Sequence, residues 1–396
     1  MLTSLALIFL TGILLSYAFT RVKLPGLLGM LLAGILLGPY ALNVIDGSVL
    51  GISADLRQLA LVIILTRAGL SLDIRDLKSV GMPAVLMCFV PACFEIGAMV
   101  LIAPRLLEIS VLEAAIMGSV VAAVSPAVVV PRMIKLIEKG YGTEKSIPQL
   151  IMAGVSVDDV FVIVLFTSFT SLAAGSSISP LSFLGIPVAI VLGILAGALL
   201  GFVMSVFFGE AHFRDSAKVI ILLSIAFLLV ALEKILGDTV PFSGLLAVMA
   251  MGLAILQFNP AVASRMSDKF SKLWVVAEIL LFALVGSTVD ISLAFSSGGR
   301  VVVLLLLALL FRMAGVFFCL LQSKLNMKES LFCMIAYIPK ATVQAAIGGI
   351  PLAMGLSCGD IVLTVAVLSI LTTAPLGALG VDLTYNKWLS PETEQL

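Results

Sequence analysis

The chain has 396 residues, of which 61% are hydrophobic and only 12% charged. That balance excludes an ordinary soluble domain and points to a polytopic membrane protein. Its formal charge is zero, with 23 basic against 23 acidic residues, so no nucleic-acid or polyanionic partner is expected.

Apolar stretches long enough for a ~30 Å hydrocarbon core follow one another with short polar joints. Thirteen spans are predicted, over residues 2–19, 24–40, 55–72, 80–102, 111–131, 147–171, 182–208, 216–236, 240–257, 272–289, 300–321, 329–350 and 359–380. The first has no basic residue before it and is followed by Arg21 and Lys23, the reverse of a secretory signal's polarity, so it reads as a retained span. The second is short and glycine-rich, which suits close helix packing. The fourth carries Glu95. The fifth ends VVAAVSPAVVVPRM, where Pro126 and Pro131 each remove a backbone donor and crowd the preceding turn, so an interruption is expected. The sixth holds Asp158 and Asp159 side by side with no other charge between Ser146 and Ser168. A carboxylate at the bilayer centre costs about 2.5–3.5 kcal/mol on insertion scales, so the pair is expected to face protein or water and to be functional. The eleventh carries Arg312. The twelfth, LFCMIAYIPKATVQAAIGGIPL, sets Pro339 beside Lys340, followed by Thr342, Gln344, Gly348 and Gly349, and is expected to be interrupted too. The five cysteines lie in apolar stretches without metal-ligand spacing and read as small core residues.

The basic residues orient the spans. Joints after odd-numbered spans, with the C-terminal tail, carry sixteen Lys and Arg against four after even-numbered spans. The positive-inside rule then puts the N-terminus outside and the C-terminus in the cytoplasm. Three bases remain within spans, Arg67, Arg312 and Lys340, beside the acids Glu95, Asp158, Asp159 and Glu278. Spans five and twelve are seven apart and so run in opposite directions. Two six-span units joined by span seven would therefore be related by inversion. Matching interruptions in two inverted halves point to a secondary transporter's midplane site.

The chain resembles the cation:proton antiporter superfamily, and within it the sodium/proton exchangers related to the animal NHA-type proteins. The resemblance is carried by SPAVVVP (125–131), GVSVDDV (154–160) and IPKATVQAAIG (338–348), with the span order agreeing. It implies an all-α fold of two inverted repeats with crossed broken helices. It also implies a core of about 80–175 and 299–380, a dimerisation panel of about 1–79 and 210–295, a linker helix of about 182–208, and elevator-type alternating access by a homodimer. Asp159 matches the aspartate that takes the cation and gives up a proton, and Asp158 its neighbour. Arg312 stands where relatives commonly carry a lysine paired with the first aspartate; arginine stays protonated, so a proton-carrying role for that base is not expected. Glu95 is the expected partner of Arg312. Ser125-Pro126 replaces the Thr-Asp of many relatives, leaving no local acid to offset the half-helix dipoles.

The expected chemistry is competition of H+ with Na+ or Li+ for Asp159, with Ser125, opened carbonyls and water completing a hard oxygen shell. No cofactor is expected. Lys340 reads as a counter-charge to a half-helix end or a brace of the crossing, and Ser156, Thr342 and Gln344 as supporting polar groups. Glu278 suits a cytoplasmic funnel or a structural acid, and His212 a solvated joint. A potassium/proton antiporter and an organic-anion symporter on a similar fold are the competing transport readings; a channel is disfavoured by crossed broken helices. An intramembrane aspartyl protease needs carboxylates on separate helices, and no HExxH or GxSxG motif is present, so an enzyme is not expected. The chain ends in a polar tail without a nucleotide-binding domain, which favours sodium or lithium. A bacterial inner membrane is the expected location.

Overall fold

The computed structural model describes residues 1–71, 81–174, 180–210, 213–236, 240–289 and 291–391, with the side chains of all these except Ser156, 180–187, Lys234 and 291–297. His212 and the joint residues Arg75 and Lys78 lie outside the described residues, as does the side chain of Ser156. The described residues are almost wholly helical, with one isolated bridge between Tyr141 and Pro391. Among them, nine helical segments are long and apolar enough to cross a membrane, and three shorter apolar helices accompany them. Thirteen crossings remain a sequence-based expectation.

The chain divides into two compact units. One comprises Met1–Ala54, Ile74–Phe169 and Phe282–Leu396. It begins with α1 (Leu2–Arg21), α2 (Gly26–Leu37) and the short α3 (Gly47–Gly51). The second comprises Asp55–Asp73 and Thr170–Leu281. It holds most of α4 (Ser53–Ser71), then α10 (Pro180–Glu210), α11 (Asp215–Leu236), α12 (Gly244–Phe258) and most of α13 (Pro260–Ser287). There α10 lies against α12 along Gly193, Gly197 and Gly201, where an added Cβ would overlap the backbone oxygens of Ser243, Ala247 and Met251. A glycine every fourth residue lets two helices approach closely in a membrane, where apolar burial alone does not drive association.

The remaining helices of the first unit are α5 (Met82–Met87), α6 (Val90–Leu107), α7 (Val111–Val121), α8 (Pro126–Glu138), most of α9 (Ile147–Ala174), α14 (Ile291–Leu320), α15 (Met327–Ala336), α16 (Thr342–Ile347), α17 (Ile350–Ala353) and α18 (Gly359–Trp388). Most sequence boundaries hold within a few residues, but α14 starts nine residues before span eleven, α18 runs eight residues past span thirteen, and three further spans differ as follows. The fourth span is itself interrupted at Cys88-Phe89, because Pro91 sits in the first turn of α6 and a new helix starts there. Pro131 does not break span five: Pro126 opens α8, and the helix runs through Pro131 to Glu138. Helix α13 starts at Pro260, so Arg265, Lys269 and Lys272 stand on a helix rather than in a joint.

Two features start the broken helices alike. Ser110 caps α7, accepting from the Glu113 N–H at 3.2 Å while Glu113 accepts from the Ser110 N–H at 2.8 Å. Asn326 and Glu329 make the same reciprocal box at the start of α15, at 2.9 and 2.7 Å. Each box satisfies backbone donors that a helix start otherwise leaves unpaired.

Candidate functional site

Both predicted interruptions exist, and they meet. Helix α7 stops at Val121 and α8 begins at Pro126; α15 stops at Ala336 and α16 begins at Thr342. The Ser125 N–H donates to the Pro339 carbonyl at 2.9 Å, tying one break to the other. The Ser125 hydroxyl lies 3.4 Å from that of Thr342, and it does not cap its own helix. Gly377 on α18 leaves room for the Pro339 ring, and the Thr373 hydroxyl accepts from the Lys340 N–H at 2.9 Å.

Breaking a buried helix frees carbonyls that must find donors. Gln344 supplies one amide to three of them, the carbonyls of Val120, Val121 and Ala123 at 3.1, 3.2 and 2.9 Å. Arg312 reaches the Ala122 carbonyl with Nη1 and the Tyr337 carbonyl with Nε, the latter at 3.0 Å. These opened carbonyls therefore already accept hydrogen bonds; each keeps a second lone pair. Gln344 acts on the end of α7 as a transplanted cap, a role its position in span twelve did not disclose.

Arg312 is 1% exposed and stands at the centre of a wholly buried ion cluster. Its Nη1 lies 2.8 Å from Glu95 Oε2 and its Nη2 2.8 Å from Asp158 Oδ2. Lys340 Nζ lies 2.6 Å from the same Glu95 oxygen. The Val124 N–H, freed by the first break, donates to Asp158 Oδ2 at 2.9 Å. The break itself holds no acid, as Ser125-Pro126 implied, and the carboxylate that serves the interrupted fifth span is supplied from α9. Close packing makes the cluster possible. A Cβ on Gly315 of α14 would meet Pro91 Cα at 2.9 Å, and one on Gly118 of α7 would meet Met99 Cβ at 3.0 Å, so α6 is gripped from both sides at the level of Glu95.

Asp159 differs from its neighbour. Its Oδ1 is buried yet has no hydrogen-bond partner among the described residues. Glu95 Oε1, Asp158 Oδ1, the Tyr337 hydroxyl and Gln344 Oε1 are buried and unpartnered likewise. Adjacent helical residues point about 100° apart, so Asp158 turns towards Arg312 while Asp159 does not. The sequence-predicted residues thus fall into three groups. Glu95, Asp158, Arg312 and Lys340 touch directly; Ser125, Thr342 and Gln344 hold the crossing; Asp159 stands without a hydrogen bond to its Oδ1. Tyr337, Thr373 and the Val124 N–H were missed. Only Tyr337 left a signal, a phenol three residues before Lys340 in an otherwise apolar run.

In the second unit, Glu278 and Arg67 are electrostatic neighbours. Among the cysteines, Cys88, Cys319, Cys333 and Cys358 are buried, but Cys93 is exposed and is no core residue, since its face of α6 is not covered.

Two interrupted helices crossing beside buried carboxylates are the arrangement of a secondary transporter's midplane site. The sodium/hydrogen exchanger transmembrane family matches residues 5–385, and the chain belongs to it. It is 37% identical over 388 residues to sodium/hydrogen exchanger 9B2 of Mus musculus, covering 92% of this chain and 68% of the relative. To sodium/hydrogen exchanger 9B1 of Homo sapiens it is 33% identical over 391 residues, covering 93% and 73%. Its fold matches that of the sodium proton antiporter MjNhaP1 from Methanocaldococcus jannaschii, with a TM-score of 0.83 over 98% of each chain at 20% identity.

Proposed function

We propose that the chain exchanges Na+ or Li+ for H+ across a membrane, the two cations competing for Asp159. The observation that carries this reading is the charge count of the buried cluster together with the half-buried Asp159 next to it. Glu95, Asp158 and Asp159 bring three carboxylates, and Arg312 and Lys340 bring two cations. Pairing accounts for Glu95 and Asp158. One negative charge remains, on Asp159, the carboxylate of the three with no ion pair among the described residues, and either a proton or one alkali cation neutralises it.

The unpartnered oxygen suits an alkali cation, which prefers hard oxygen ligands. Ser125, the second lone pairs of the opened carbonyls, and water are the further donors in this reading. Asp158, held by Arg312 and the Val124 N–H, serves as a fixed neighbour whose negative charge favours cation or proton binding next door. Neutralising the cluster lowers the cost of moving it through a low-dielectric barrier, so the core of about 80–175 and 299–380 shifts against the panel of about 1–79 and 210–295 only when loaded. Since one proton and one sodium ion have the same effect on charge, the exchange is one for one. The protein works as a homodimer with its C-terminus in the cytoplasm, as expected from the charge distribution of its joints and from the resemblance.

Two measurements test this. Asp159→Asn in proteoliposomes should abolish sodium-dependent proton movement while folded protein is retained, and exchange at the normal rate would remove Asp159 from the site. With the wild-type protein, clamping the membrane potential at different values should leave the rate unchanged; a rate that follows the potential would refute the one-for-one count.

A further inference from the structure

We propose that Tyr337 is a positioning residue for the aspartate pair. Its hydroxyl fills the slot that Gly154 leaves on α9, while its carbonyl and ring hold Arg312, so one residue sets both the register of the aspartate helix and the place of the cation paired with Asp158. This rests on the reading of Asp158 and Asp159 as the site and adds a residue to it.

Three observations meet here. Gly154 lies four residues before Asp158, one helical turn away on the same face. A Cβ built there would overlap the Tyr337 hydroxyl oxygen and would stand 3.3 Å from its Cζ and 3.1 Å from Met87 Cβ. The glycine is therefore required by the tyrosine. The other end of Tyr337 serves Arg312: its carbonyl accepts from Nε at 3.0 Å, and the guanidinium carbon stands 5.6 Å from the ring centroid, within cation–π range. Arg312 in turn holds Asp158 Oδ2 at 2.8 Å. The chain Gly154, Tyr337, Arg312, Asp158 closes a ring of contacts that starts and ends on α9.

The rest of the residue's setting fits a spacer. Tyr337 is fully buried at the end of α15, where the second helix opens, and its hydroxyl has no hydrogen-bond partner among the described residues. A buried hydroxyl is normally paired, so its presence asks for a reason that a hydrogen bond does not give. Filling the glycine slot is that reason. Phenylalanine would leave the slot empty and α9 free to slide or turn against the crossing. Interiors are packed closely enough for one atom's worth of space to be felt.

The test is a double-mutant cycle on Gly154→Ala and Tyr337→Phe in the full-length protein, read by the KM for Na+ in proteoliposomes and by melting with and without Na+. Tyr337→Phe should raise the KM about threefold by loosening the register. Gly154→Ala should raise it more than tenfold, because the tyrosine is pushed from Arg312. The double variant should fall to the KM of Tyr337→Phe or below it, towards wild type, since the added methyl then occupies the vacated space. Should Gly154→Ala fail to accumulate, the double variant must restore folded protein. A wild-type KM for Gly154→Ala, or a double variant at the product of the single effects, or one that stays unfolded, would overturn the proposal. Melting without Na+ tests the contact separately from the ion: coupling there persists even if Asp159→Asn shows that the ion binds elsewhere, whereas its absence defeats this inference alone.

Discussion

The two broken helices begin in the same way and end differently. Each starts with a capping box whose glutamate also reaches into the opposite repeat. Glu113 of the first accepts from the Ser357 hydroxyl at 2.6 Å, just before α18. Glu329 of the second pairs with Lys145 at 2.8 Å, just before α9. These are corresponding places under the inversion, so each crossing is anchored to the loop that follows the other. The outer parts are near-copies; the inner parts are not. The second break brings its own cation, Lys340, whereas the first brings only serine, proline and bare backbone. The first break is held from elsewhere, by Asp158 of α9, Arg312 of α14 and Gln344 of α16. Inversion repeats the scaffold, and the chemistry comes from where the repeats differ.

This contrast can be broken most forcefully at Arg312. Replacing it with leucine leaves Glu95 with one cation instead of two and Asp158 with only a backbone donor. Removing one partner of a buried pair typically costs about 3–5 kcal/mol. The purified variant should melt far below the parent, and an unchanged melting temperature would show that the cluster does not hold the crossing. Gln344→Ala should come next, at about 1–3 kcal/mol, because three carbonyls lose a donor in a place water does not readily reach. A loss of only a few tenths of that would mean that backbone rearrangement satisfies them.

The anchors sharpen the comparison at lower energy. The Glu329 side chain is 2% exposed, so Lys145→Ala leaves a buried carboxylate whose remaining partners lie in its own capping box. It should cost about 1–3 kcal/mol, by the same logic of an unmet buried group. Ser357→Ala removes an exposed contact and should lie within about 0.5 kcal/mol. Equal effects at the two anchors, measured by melting in matched detergent, would deny that the second crossing is the more firmly tied. Hydrogen exchange near Thr143–Glu144 and near Ser357 would show the same order.

Much of this was legible along the chain because a membrane forces polar groups to declare themselves. Asp158, Arg312 and Lys340 stood out since nothing charged crosses a bilayer cheaply, and Pro126 and Pro339 marked the breaks because a missing donor is costlier there than in water. Glu95 emerged as a partner for Arg312 through similar depth and resemblance. The roles of Val124, Gln344 and Tyr337 were not legible. Their work is done by an N–H, an amide and a hydroxyl aimed across helices, and nothing in an apolar run tells which way a side chain turns. Pro131 misled for a related reason, since a helix in a packed core tolerates a proline that its neighbours can accommodate.

The sequence by itself determined that the chain lives in a membrane, that two of its helices break, and that a carboxylate pair lies near the breaks, because periodicity, proline and charge are local properties of a chain. Only the tertiary structure decided which aspartate is held and which is left open. One turn of 100° about the α9 axis separates them, and the direction of that turn is set by Arg312, which lies 153 and 154 positions further along the chain.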